Sequence, residues 1–195
     1  MSKASVFLFL MVAFIASCGD SSLTRTLPNV TGTTGEVLVV MDKYMWDGSP
    51  GRAIREQVSP LLIGLPQPEP AFTILPVNPS GFRDIYVSHR NIIQVTIDPG
   101  IQKPVVTYTR NKWAETQLVV SIAAADTASL AAVVREKGDA IRRSINDAER
   151  ERLTAWLTNS AGKEKSILNA GEARWELAMP AGWKPDFNRE GIMMI

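Results

Sequence analysis

The sequence predicts an α+β domain, two layers deep, in which a mostly antiparallel sheet carries one short and one long helix on one face. Three observations lead there. Short apolar runs with strand character recur between turn signals along residues 36–195. Two stretches, 49–62 and 126–156, place apolar residues three, four or seven apart, the spacing of a helix that buries one stripe. Most links between neighbouring strands are short, which favours antiparallel pairing.

The elements follow in order. Val37, Leu38, Val39 and Val40 form an apolar run bounded by Gly35 and Asp42, the pattern of a strand buried on both faces. Ser49-Pro50 marks a helix start, with Ser as N-cap and Pro in the first turn. That helix is expected to turn Ile54, Val58, Leu61 and Leu62 inward, with Pro60 kinking or ending it. Pro66, Pro68 and Pro70 force extended chain, because each disfavours helix at the residue before it. A strand over 72–77 and a turn over 78–81 come next. Along 91–98, Ile93, Val95 and Ile97 alternate with Gln94, Thr96 and Asp98, the mark of a strand with one wet face. Strands over 105–110 and 117–123 precede Asp126, which caps the long helix.

The long helix is expected to bury Leu130, Val133, Val134, Ile141, Ile145, Leu153 and Trp156, with Arg135, Glu136, Arg142, Arg143, Glu149 and Arg152 mostly off that stripe. Gly138 costs about 1 kcal/mol against Ala within a helix, so it marks close packing or a bend. Residues 159–162 end the helix. Strands over 173–179 and 191–195 flank a turn over 180–182. The chain stops within an apolar strand, and the full gene product is expected to continue or its reading frame to be damaged.

The N-terminus reads as an export signal. Lys3 precedes an uncharged apolar run over 4–16, the length of a secretory core (about 7–15 residues) and short of the about 20 residues a spanning helix needs. It ends in Ile15-Ala16-Ser17-Cys18, which resembles a bacterial lipobox: an aliphatic residue, two small ones, then a cysteine whose thiolate accepts lipid. Residues 1–17 are thus expected to be a lipoprotein signal peptide, 18–34 a lipidated flexible tether rich in Ser, Thr and Gly, and 35–195 a single domain. Cys18 is the only cysteine, so no internal disulfide forms, and acylation would remove an otherwise free thiol. The chain would be held in the cell envelope by lipid on Cys18, with the outer membrane favoured over the inner.

Cleavage would remove Lys3 and leave 20 basic residues against 20 acidic ones, which gives no footprint for nucleic acid. Four segments resemble a known family: the strand run 36–42, the run Leu65-Pro66-Gln67-Pro68-Glu69-Pro70 before Phe72, His89-Arg90-Asn91-Ile92-Ile93, and Met179-Pro180-Ala181-Gly182-Trp183. Together they are similar to lipoproteins of Gram-negative bacteria catalogued as domain of unknown function 4837. That resemblance implies no activity and no catalytic residue, and it implies that relatives are longer than this chain.

Tests for chemistry are mostly negative. One histidine and one cysteine cannot furnish a zinc set. No calcium loop, nucleophile elbow or P-loop is present. No cofactor and no metal are expected, and an enzyme is the less favoured reading. His89-Arg90-Asn91 fits two descriptions: a binding site for a carboxylate or sugar with Arg90 as fork donor, or a polar turn that satisfies local backbone groups, the latter favoured. Trp46 and Trp113 fit either partner-binding aromatics or the edge of the core, again the latter favoured. The proline run fits a stiff connector better than a groove ligand. The leading expectation is a non-enzymatic binding or assembly factor whose partner is an envelope protein or glycan. The alternative is an envelope enzyme using carboxylates on glycans. A chain broken in evolution is the third.

Overall fold

The computed structural model describes residues 26–64 and 66–160 with their side chains. It also gives the backbone of four later strands. The signal-peptide and Cys18 expectations and the turn over 181–182 lie outside the described residues.

The chain opens with β1 (Glu36–Val40), two short helices α1 (Lys43–Asp47) and α2 (Ser49–Val58), the two-residue strands β2 (Leu61–Leu62) and β3 (Glu69–Pro70), and β4 (Thr73–Val77). Two 3-10 turns, Pro79–Gly81 and Asp84–Tyr86, lead to β5 (Asn91–Ile97). Then come β6 (Val105–Arg110), β7 (Leu118–Ala124) and α3 (Thr127–Ser160). The strands β8 (Ala161–Ala170) and β9 (Ala173–Pro180) pair with each other, as do β10 (Phe187–Arg189) and β11 (Ile192–Met194).

The main sheet has five strands in the order β4-β1-β5-β7-β6. The α+β class holds, but the expected antiparallel sheet does not: β4, β1, β5 and β7 are mutually parallel, and only β6 runs against its neighbour β7. The connections explain this. The link from β1 to β4 travels through α1 and α2 on one face. The link from β4 to β5 returns through residues 78–90 on the other, where Phe82 packs on Leu38, Val40, Ile92 and Val119. Both links return the chain to the starting end of the sheet, so each new strand is parallel to the last.

The helix face holds the larger core. Val37, Val39, Ile93, Val95, Leu118, Val120 and Ile122 from the sheet meet Ile54 and Val58 of α2 and Leu130, Val134, Ile141 and Ile145 of α3. Burying side chains of this size contributes about 1.5–3 kcal/mol each. The helices expected as one short and one long on one face are thus two short helices and one long one. Gly138 lies where α3 crosses α2, and a Cβ there would overlap the Cβ of Gln57. Its glycine is therefore a close-packing residue.

Several local expectations change. The cap of α2 is Gly48, with Ser49 already helical. The helix stops at Val58, so Leu61 and Leu62 do not continue its stripe and are exposed, at 62% and 45%. Ser59 closes the base of the β2–β3 hairpin: its hydroxyl donates to the Phe72 carbonyl (2.6 Å) and accepts the Phe72 N–H (2.9 Å). The face of β5 expected to be wet is covered at its start, where Ile92 is buried, and open only toward Thr96. Asp126 caps α3 as expected, accepting the Ser129 N–H at 2.7 Å. On α3 the buried stripe continues through Ala148, Glu149 and Arg152, while Leu153 and Trp156 are exposed. The strand β8 was not foreseen.

Residues 26–34, assigned to the tether, begin to dock before β1. Asn29 bridges to Glu115 and Thr31 to His89. Finally, Pro76 lies in the middle of β4, opposite Val39. The Thr73 N–H points to β1, donating to the Gly35 carbonyl. Alternation along the strand then puts the Pro76 nitrogen on the outer margin, where its missing N–H costs the sheet nothing.

Candidate functional site

The polar residues singled out in the sequence meet at the amino ends of the parallel strands. Asn91 is the first residue of β5, and Glu36 is the first of β1. The helix α3 runs back over the sheet, so Glu149 and Arg152, three apart on one face, arrive above the same end. Their place at the strand starts is opposite to the carboxyl-end crevice where open α/β sheets usually hold ligands.

The geometry is closed. Asn91 Nδ2 donates to the Glu36 carbonyl (2.9 Å) and to Glu149 Oε1 (2.6 Å). Asn91 Oδ1 accepts from Arg152 Nη2 (2.7 Å). The same Nη2 reaches Glu149 Oε1 at 2.9 Å, and Arg152 Nη1 donates to the Thr116 carbonyl at 2.5 Å. Arg90 Nη2 takes the other carboxylate oxygen, Glu149 Oε2, at 2.8 Å. One carboxylate therefore lies between two guanidinium groups, with Asn91 fully buried and Glu149 and Arg152 nearly so. Desolvation by burial pulls the Arg152 guanidinium below its ordinary range, against the Glu149 carboxylate that favours its charge.

His89 is buried beside this group. Its Nδ1 faces the Asn91 carbonyl at 3.1 Å, and a carbonyl only accepts, so Nδ1 carries a proton. Its Nε2 lies 3.5 Å from Glu36 Oε2 and makes no hydrogen bond. Glu36 is fixed from the other side by the Thr33 N–H at 2.7 Å. That bond above all, with further help from His89, holds the Glu36 carboxyl below its ordinary value. Gly32, at φ +88, passes so close that a Cβ there would overlap the His89 ring. Gln117, also fully buried, donates to the carbonyls of Val87 and His89 (both 2.8 Å) and accepts from the Trp113 N–H (3.0 Å).

The arrangement pins four chain segments together: the incoming strand at 31–36, the loop before β5, residues 113–117 before β7, and the far half of α3. Thr116, whose carbonyl Arg152 holds, has φ +60, a left-handed conformation that strains a β-branched residue. A cavity of about 360 Å³ opens on the outer side of Arg152, lined by Arg110, Asn111, Thr116, Glu151 and Ala155. Arg110 is paired there with Glu151 at 3.0 Å.

Of the five residues expected as binding candidates, the structure brings together His89, Arg90 and Asn91. Trp46 and Trp113 lie elsewhere. Trp46 packs on the larger core beneath the Arg55 guanidinium, 4.5 Å from the ring centroid. Trp113 meets Phe82 edge-on at 5.6 Å in the smaller core. Both are core-edge residues. Sequence reasoning missed Glu36, Gln117, Glu149 and Arg152. Glu149 and Arg152 sit four and seven residues after Ile145, so the helical spacing pointed at them, but their charge argued for solvent. Among the described residues, no group of three or more His, Cys, Asp or Glu is placed to hold a metal, and no helix is long and apolar enough to cross a membrane.

Fold and site thus define a small domain with a mixed, mostly parallel sheet, helices on one face, and a buried Arg-Glu-Arg cluster at the strand starts. The chain belongs to the family described as domain of unknown function DUF8532, whose model matches residues 30–158. This corrects the resemblance to domain of unknown function 4837: the matching family is a different one, and the Met179–Trp183 segment lies beyond the matched residues. No curated protein and no solved structure matches the chain significantly.

Proposed function

We propose that this protein is a lipid-anchored component of the bacterial cell envelope that acts by binding an envelope protein or glycan. One observation carries the preference for binding over catalysis. The polar constellation His89-Arg90-Asn91 is spent within the fold, Asn91 and Arg90 on Glu149 and Arg152 and His89 on the Asn91 carbonyl, contacts that organise the domain and leave His89 and Asn91 buried. The anchor is supported by Lys3, the apolar run after it and the lipobox ending in Cys18. The outer membrane is the favoured location.

Two experiments test the two halves. Cys18→Ala is expected to abolish palmitate labelling and release the protein from membranes, because stable anchoring needs the acyl chains; labelling that persists in the variant defeats the anchor. In-cell crosslinking of the full-length chain is expected to capture one recurrent envelope partner or glycan. Turnover of an envelope glycan by the purified protein, lost on replacing a carboxylate, would overturn the binding reading.

A further inference from the structure

Among the described residues, five of the eleven exposed large apolar side chains lie in two segments at one end of the sheet, while Leu153, Trp156 and Leu157 lie on the far half of α3 and Tyr108 on β6. Leu61 and Leu62 form β2 and Ile63 follows in the turn of the β2–β3 hairpin, with Ile63 fully exposed. Ile85, 66% exposed, and Tyr86 lie in the 3-10 turn just before His89. The hairpin leaves α2 and returns into the start of β4, and the 3-10 turn leads into the start of β5. Both therefore project from the amino ends of the parallel strands. Among the described residues, the other end of the sheet, where β1, β5 and β7 finish, exposes Tyr44 and Val105 but no run of adjacent aliphatics.

The described N-terminal segment enters at that same end. Thr31 donates from its N–H to the Ser88 carbonyl (2.9 Å) and from its hydroxyl to the Ile85 carbonyl (2.8 Å), beside the exposed turn. Gly35 is hydrogen-bonded to Thr73, the first residue after the hairpin region to join the sheet. Eight residues, 18–25, precede Thr26, and a chain of eight residues spans at most about 28 Å. Lipid on Cys18 would hold this end within that reach of the bilayer.

We propose that this apolar end is a lipid-docking surface, with Leu61, Leu62 and Ile63 inserting into the bilayer that holds Cys18. The inference rests on the lipid-anchor reading and adds an orientation to it. A bilayer suits the chemistry of the surface. The exposed run Leu61-Leu62-Ile63 is wholly aliphatic and is followed by Gly64, whose φ of +95 turns the chain. Protein hot spots favour Trp, Tyr and Arg and under-use Leu, whereas aliphatic side chains partition into hydrocarbon. The base is rigid: Ser59 clasps both backbone groups of Phe72, and the Ala71 N–H donates to the Pro60 carbonyl. Inserting the tip would therefore fix how the whole domain stands on the membrane.

Cys18 is the only cysteine, so in the acylated protein an added cysteine is the only free thiol. Ile63→Cys and, at the other end, Val105→Cys are each made in the full-length lipoprotein, spin-labelled and reconstituted into vesicles of phosphatidylethanolamine and phosphatidylglycerol. Mass spectrometry of the N-terminal peptide first establishes acylation. The label at position 63 is expected to lose most of its collisions with an aqueous nickel chelate and to gain collisions with oxygen, while the label at 105 stays aqueous. Labels at 63 and 105 equally open to the chelate, on an acylated and vesicle-bound protein, overturn the docking and leave the anchor standing. Protection at 63 that persists in the unacylated Cys18→Ala protein without vesicles also overturns it, in favour of a protein contact. An unacylated N-terminus defeats the anchor reading and the docking with it.

Discussion

Glu149 stands between the buried Arg152 guanidinium and the half-buried one of Arg90, and its removal exposes how such clusters work. The Glu149→Gln variant keeps a hydrogen-bonding side chain but leaves the buried Arg152 and the half-buried Arg90 with no anion between them. Breaking a buried pair from one side costs about 3–5 kcal/mol, because the stranded charge stays desolvated. A urea titration of Glu149→Gln is expected to show a loss of that size with an unchanged slope; a midpoint equal to the parent's would mean the cluster carries no stability. Glu36 gives the pH dependence. Its carboxyl is held below the ordinary 4.5, chiefly by the Thr33 N–H. A carboxyl depressed in the folded state stabilises the fold while ionised, so the contribution is whole above its unfolded value and lost as pH falls through the lower folded one. Stability should therefore decline as pH falls below the ordinary glutamate value of 4.5, and Glu36→Gln should flatten part of that decline. Parallel pH profiles for the two proteins would contradict the assignment. At this scale the sequence was partly legible. His89, Arg90 and Asn91 stood out as a polar group ahead of an apolar strand. Their partners did not, because a charged residue on a long helix reads as solvated unless its stripe position is weighed above its charge.

The crossing of α2 and α3 sets the spacing of the helix layer. Gly138 is needed there because Gln57 occupies the space a methyl would take. Ala is the better helix former by about 1 kcal/mol, yet Gly138→Ala is expected to destabilise the fold by about 1–3 kcal/mol, the usual range for overpacking. Gln57→Gly in the same chain should recover much of the overpacking loss, since it removes the overlapping Cβ. A double-mutant cycle measures this, and additive effects would rule out the contact. Among the elements, β1, β5, β6, β7 and the start of α3 were legible because each carries its own apolar run or cap. The direction of pairing was not. It depends on the links over 41–72 and 78–90, whose paths across opposite faces no local pattern announces. The outward turn of Leu61 and Leu62 was missed for a related reason: both fall at helical spacing after Val58, but Pro60 and the pairing with Glu69–Pro70 take them out of the helix.

The buried residues of the described chain lie between Val37 and Arg152, and the family match spans 30–158. A fragment comprising residues 26–160 is therefore expected to unfold in one cooperative step, with the far-ultraviolet signature of a mixed helix and sheet. A broad, multi-step transition would show that the later strands complete the core. The sheet of this unit has two open margins, β4 and β6, and the β4 margin carries Pro76 with its nitrogen facing outward. A strand arriving from another molecule would meet a ring where it needs a donor. Open sheet margins can zip edge to edge into fibrils when chains are concentrated. On the β4 side of this sheet, Pro76, the fourth of the strand's five residues, withholds the donor that such a ladder would need and interrupts its growth.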